Sequence, residues 1–181
     1  REMTAADSGT PLEQGAMRMF AHTPEISKGL TAFAGSLKQN RSLPDRLVEL
    51  VRLRVAFHNQ CRSCMAIRYK DGQEDGITED LVCSLEKPME AENLSDAEKV
   101  AIHYGELFAT NHLAINDDTY DNLRKYFNES EIVELSMTVA FFVGFGRLAA
   151  SYHMVEELPE SFQVNEEETL TPWNNESVIV R

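Results

Sequence analysis

Apolar residues recur along this chain at the three-to-four spacing of helices, and no stretch keeps the strict alternation of a strand. Residues 11–22 and 24–38 read as two short helices, the second with Thr23 as its cap and Pro24 at its first position. The stretch SLPDRLVELVRLRVAFHNQ opens the next helix near Pro44. Its polar positions Arg46, Glu49, Arg52 and Arg54 fall within roughly 160° of arc, and apolar side chains fill the rest. That pattern predicts a mostly buried helix with a narrow polar stripe. Asn59 is placed to cap a helix running from about Gln60 to about Gly72, and Thr78 to cap a short one after it. Ser95 with Glu98 three residues on is a capping box. NDDTYDNLRKYF reads as a helix of about three turns. The longest helical stretch, NESEIVELSMTVAFFVGFGRLAASYHMVEEL, opens at Asn128 or Ser130; its Gly144, Gly146, Ala149 and Ala150 allow close helix approach.

From Pro159 the pattern stops. An acidic run, Glu166–Glu168, precedes Pro172 and Trp173. A large ring on an acidic arm seeks a pocket, here expected on a neighbouring subunit. The expected architecture is all-α, with seven to eight helices over residues 1–158 and an extended C-terminal arm over 159–181.

A chain of 181 residues is long enough for one domain with a real core. Its net charge of −13 disfavours nucleic acid and anionic membranes, which need a basic footprint. The strongest apolar run, VAFFVGFGRLAA, is too short for a bilayer and carries Arg147. The first fifteen residues are polar, unlike a secretory leader. Three cysteines, an odd and small number, do not suit a disulfide scaffold of a secreted protein. These features predict a cytoplasmic protein without nucleic-acid or membrane partners.

Two of the cysteines stand three apart in HNQCRSCMAIRYKDG. Within a helix, Cys61, Cys64 and Arg68 fall at about 0°, 300° and 340°, on one face. Positions i and i+3 of a first turn bring Cα atoms to roughly 5–6 Å, inside the disulfide range. The helix start also favours thiolate over thiol. Three readings are open: a redox pair, a metal site, or two buried thiols. The metal reading adds His58, but zinc needs four ligands, or three with water. Cys83, His103, His112 and His153 are distant and unpaired in sequence.

The segment LPDRLVELVRLRVAFHNQCRSCMAIRYKDGQEDGITEDLV resembles the core of the carboxymuconolactone decarboxylase family, on the side of its alkylhydroperoxidase AhpD-like members. The similarity runs over roughly residues 15–157, and its specific part is the spacing from Glu49 to the C-x-x-C. The resemblance implies an all-α fold that assembles into trimers or hexamers. It implies peroxide reduction by a cysteine pair, without cofactor, metal or haem, and a dithiol reductant that restores the pair. It assigns Cys64 as the attacking thiolate, Cys61 as the resolving thiol, and Glu49 as the acidic residue of a proton relay. Two positions depart from the family pattern: Arg68 stands where a histidine is usual, and Ser63 where AhpD itself has another. Arginine holds charge but cannot shuttle protons, so Arg68 is expected to stabilise the thiolate. Glu49 could instead simply pair with Arg46 or Arg52.

Two alternatives accompany this reading. A lactone decarboxylase would use Arg54 or Arg68 against an anionic substrate. A non-enzymatic oligomer would form the disulfide as a redox sensor. Activity that survives loss of Cys64 separates the first of these from a thiol peroxidase.

Overall fold

The computed structural model describes residues 11–155, 157–163 and 169–180; the first ten residues and the acidic run Glu166–Glu168 lie outside the described residues. The chain is all-α, with ten α-helices among the described residues. Two helices, α1 (Pro11–Phe20) and α2 (Pro24–Gln39), lead to α3 (Asp45–Asn59). The central segment is α4 (Arg62–Ala66), β1 (Ile67–Tyr69), α5 (Lys70–Glu74) and α6 (Glu79–Cys83). Then come α7 (Asp96–Thr110), α8 (Asp117–Arg124), α9 (Glu129–Ser151), α10 (Glu160–Gln163) and β2 (Val178–Val180).

Helix α3 is the axis of the core. Leu50, Val51, Leu53 and Val55 are wholly buried, and α3 packs chiefly against α7 and α9. A hydrogen at Gly105 allows α7 to approach, since a Cβ there would stand 3.0 Å from Val51 Cγ1. At Gly146 of α9 a Cβ would stand 2.5 Å from Asn59 Nδ2. Asn59 uses that space to join α3 to α9: its Nδ2 donates to Phe142 O at 3.0 Å, and its Oδ1 accepts from Arg147 Nε at 3.2 Å. Helix α9 has the length and apolar character to cross a bilayer, yet in this fold Leu135, Val139 and Val143 lie in the core that α3 shares.

Three of the caps read from sequence are met, whereas Thr23 precedes α2 without a side-chain cap bond and Asn59 ends α3 instead of capping the cysteine helix. Thr78, Ser95 and Asn128 each accept from the backbone three residues on, and Glu98 and Glu131 close capping boxes. Helix α8 is shorter than expected, eight residues. The single helix expected over 60–72 is broken, which raises the helix count above seven or eight. Gln60 ends α3 in the left-handed region at φ 49°, held by reciprocal amide bonds with Leu170 N and O at 3.0 Å. Cys61 then caps α4, which stops at Ala66 because Ile67 turns extended at ψ 141°. Residues 67–69 pair in parallel with β2, Ile67 opposite Val178 and Tyr69 opposite Val180. A strand partner more than a hundred residues away leaves no trace in local periodicity.

The C-terminal arm folds back on its own chain. Trp173 is 4% exposed, and its ring centroid lies 4.9 Å from that of Phe57, with the Arg54 guanidinium carbon 5.9 Å away. The expectation of a neighbouring subunit's pocket is therefore corrected: the chain's own core takes this ring. Leu158 and Phe162 cluster with Ala56, Met65 and Ala66, so the arm flanks the cysteine segment.

Candidate redox site

Cys61 and Cys64 are joined by a disulfide, their Cα atoms 5.2 Å apart. The Cys64 backbone N–H donates to Cys61 Sγ at 3.3 Å, so the pair is preset by the first turn of α4. Their burial differs. Cys61 has no solvent exposure, whereas Cys64 is half-buried. Cys64 lines a cavity of about 350 Å³ walled by Met17, Phe20, Phe141, Phe145, Met154 and Val180. That size and apolar lining suit a small organic ligand. Aromatic side chains of α1 and α9 and the small and aliphatic side chains Leu30, Thr31 and Ala34 of α2 line it, with Val180 of β2 and Tyr69 of β1 also on its wall.

Glu49 of α3 is 3% exposed and lines an adjoining cavity. Its carboxylate is gripped by Arg52: Nε donates to Oε2 at 2.6 Å and Nη2 to Oε1 at 2.7 Å. The Tyr69 backbone N–H adds a third bond to Oε1 at 3.3 Å. Arg46, the other expected partner, pairs instead with Glu98 at 2.6 Å. Arg52 continues into the cysteine segment, with Nη1 donating to Cys64 O at 2.7 Å and Nη2 to Ile67 O at 2.8 Å. Its guanidinium carbon stacks 4.7 Å from the Tyr69 ring centroid. Burial alone would push the Arg52 guanidinium down; the Glu49 carboxylate outweighs that and holds it above its ordinary value. A second cavity of about 300 Å³, lined by Glu49, Lys38, Arg41 and Asp71, shares Arg52 and Tyr69 with the first.

Arg68 is placed differently from the expectation. It is wholly buried, but β1 and not a helix carries it, so the shared face with Cys64 does not form. Its guanidinium grips Glu79 through Nε and Nη2, both at 3.0 Å. It also donates to the carbonyls of Met65, Ile67 and Pro172 at 2.8, 3.0 and 2.6 Å. These five bonds join the cysteine segment to α6 and the arm. The structure thus joins Cys61 to Cys64, connects Glu49 to the Cys64 carbonyl through Arg52, and turns the Arg68 charge toward Glu79.

His58 lies on the opposite flank of α3. Its Nε2 stands 3.3 Å from Glu106 Oε1, at ion-pair distance but outside hydrogen-bond alignment. Arg54 Nη2 donates to the same oxygen at 2.9 Å, and its Nη1 to Leu85 O at 2.8 Å. His58 and Arg54 hold the Glu106 carboxyl at about 2, against its burial. The H-x-x-C-x-x-C run therefore does not converge, and among the described residues no group of three His, Cys, Asp or Glu side chains is arranged as metal ligands.

Sequence reasoning gave Arg52 only as a pairing partner for Glu49, which it is, and not as a neighbour of the cysteine segment. A polar stripe accounts for Arg52 only if the stripe faces solvent. The signal that could have found it is an arginine three residues from Glu49 inside a helix otherwise apolar on nearly every side.

Residues 24–107 match the sequence profile of the carboxymuconolactone decarboxylase family. Two uncharacterised proteins of Mycobacterium tuberculosis, from strains CDC 1551 and H37Rv, are each 28% identical over 121 residues, or 65% of this chain. The match spans 42% of those relatives' own length. Among solved structures, an Agrobacterium tumefaciens protein of unknown function, assigned to AhpD antioxidant defence, superposes with a TM-score of 0.64 at 20% identity. It covers 75% of this chain and 93% of its own. The AhpD core of a peroxidase-related protein from Ralstonia eutropha JMP134 superposes at 0.62 and 16% identity, covering 80% of this chain and 76% of its own. A peroxidase-related protein from Silicibacter sp. TM1040 gives 0.64 at 17% identity, covering 82% and 78%.

Proposed function

From the match of residues 24–107 to the carboxymuconolactone decarboxylase family, we propose that the chain is a thiol-dependent peroxidase of the AhpD-like kind. The observation that carries this reading is the Cys61–Cys64 disulfide with Cys64 on the wall of an apolar cavity. The peroxidase-related names of the structural neighbours lend it support.

In the reduced protein the Cys64 thiolate attacks the peroxide oxygen. The S–O bond forms, the O–O bond breaks, and the alcohol leaves with a proton; Cys64 becomes a sulfenic acid. The Cys61 thiol then attacks that sulfur, the disulfide forms, and water leaves. A dithiol partner reduces the pair by exchange and is itself oxidised to a disulfide. The net change is one hydroperoxide and one dithiol to one alcohol, one water and one disulfide. Half-burial of Cys64 gives substrate its thiol, and full burial of Cys61 suits a thiol that reacts only within the protein. Glu49 acts by holding Arg52 in place, because all its bonds go to Arg52 and the Tyr69 backbone; protons come from solvent entering the cavity beside it. Arg68 fixes the strand and arm behind Cys64.

The working form is a cytoplasmic homo-oligomer, a trimer or hexamer. Supporting it, the exposed side chains Val133, Met137, Leu148 and Tyr152 form an uncharged apolar stripe along α9, of the kind that marks protein contacts. Lactone decarboxylation is the competing reaction, but Arg54 and Arg68, its expected cations, are bound to Glu106 and Glu79.

Thiol counting tests the redox reading. The protein as described has one free thiol, Cys83, and full reduction should give three. One equivalent of organic hydroperoxide should return the count to one and yield one equivalent of alcohol. A count that stays at three contradicts a redox pair.

A further inference from the structure

We propose that Arg52, and not Arg68, is the cation that stabilises the Cys64 thiolate and the oxygen leaving the peroxide. This rests on Cys64 being the reacting thiol. Arg52 is tied to Cys64 itself, through the 2.7 Å bond from Nη1 to the Cys64 carbonyl, and both residues wall the same cavity. Four of its five N–H groups have acceptors: two on Glu49, one on Cys64 O and one on Ile67 O. The remaining N–H is on Nη1, the nitrogen already bonded to Cys64, and has no acceptor among the described residues. Beside a cavity with an apolar lining, a fixed donor held next to the reacting residue acts more strongly than it would in bulk solvent.

The opposing and competing charges are few. Among the described residues that line this cavity, the titratable side chains besides Arg52 and Cys64 are Glu13 of α1 and Tyr69 of β1. Of these, Glu13 is the carboxyl group, whose negative charge would oppose a thiolate. The adjoining cavity adds Lys38, Arg41, Asp45 and Asp71, where Lys38 pairs with Asp71 and Arg41 with Asp45, so their charges largely cancel. A third cavity, on the other side of Ser63, brings Arg62 and His153. Arg62 donates to the carbonyls of Phe162 and Gln163, which turns its guanidinium toward the arm. The elevated Arg52 value agrees with a cation that stays charged throughout the cycle.

The arrangement also explains Glu49 without a relay. A carboxylate bound at both oxygens is a poor proton acceptor, but it orients a buried guanidinium and offsets the cost of its burial.

The test is the pH profile of Cys64 alkylation by iodoacetamide in the reduced chain carrying Cys83→Ser, with the modified peptide read by mass spectrometry. Arg52→Gln should raise the midpoint by about one pH unit or more, and Arg52→Lys, which keeps the charge, should restore most of the shift. If Arg52→Gln leaves Glu49 unpaired and the chain unfolded, the paired variant Glu49→Gln/Arg52→Gln carries no buried charge and should show the same rise. An unchanged midpoint in the folded variants overturns the proposal, and so does an equal rise with Arg52→Lys. No peroxide enters this measurement, so a failure here is distinct from failure of the peroxidase reading.

Discussion

Arg68 shows how one residue changes meaning between sequence and structure. On a continuous helix it would lie beside Cys64. In the fold it is an arginine with no exposed surface and five bonds, to Glu79 and to three carbonyls. Arg68→Ala should therefore cost about 3 kcal/mol in urea unfolding, because three buried carbonyls lose their donor and a cavity remains. The Cys64 alkylation midpoint should not move. The cysteine pair and the Glu49–Arg52 ion pair were legible from spacing, since both are three-residue intervals of a helix. The burial of Arg52 and its bond to the Cys64 carbonyl were not, because the same period describes a solvent-facing stripe and a buried ion pair equally well.

At the scale of elements, caps were the most legible feature. Ser95–Glu98 and Asn128–Glu131 are local hydrogen-bond pairs, and the structure has both. The break after Ala66 was not legible, because β1 exists only through β2. Packing of α3 on α9 depends on a further long-range match, Asn59 seated against Gly146. Gly146→Ala would put a Cβ 2.5 Å from Asn59 Nδ2, so the amide must move and its bond to Phe142 O stretches or breaks. We expect a loss of about 1–3 kcal/mol by chemical denaturation, with the disulfide still formed. A thermal scan that matches the parent protein would contradict the close approach.

For the whole molecule, contacts of the C-terminal arm close it onto the centre. Trp173 and Leu170 return the arm to α3 and Gln60, and Arg68 binds Pro172 O. Next to Trp173, Arg54 and His58 hold Glu106 at about 2, below the ordinary value of 4.5. A depressed carboxyl contributes stability that is complete above its unfolded value and disappears as pH falls through its folded one. The urea midpoint should thus fall between about pH 4.5 and pH 2, and Glu106→Gln should flatten that part of the profile. A net charge of −13 sets chains against one another, so association is expected to run through the apolar α9 stripe, and sedimentation should read a particle larger than one chain that grows with added salt.

The account as a whole stands on Cys64. The most direct measurement is consumption of an organic hydroperoxide in the presence of a small dithiol, comparing the parent protein with Cys64→Ser. Catalytic consumption by the parent, one dithiol oxidised per hydroperoxide, and a loss of about a hundredfold or more in Cys64→Ser is the predicted result. A Cys64→Ser protein that consumes the hydroperoxide as fast as the parent would contradict it.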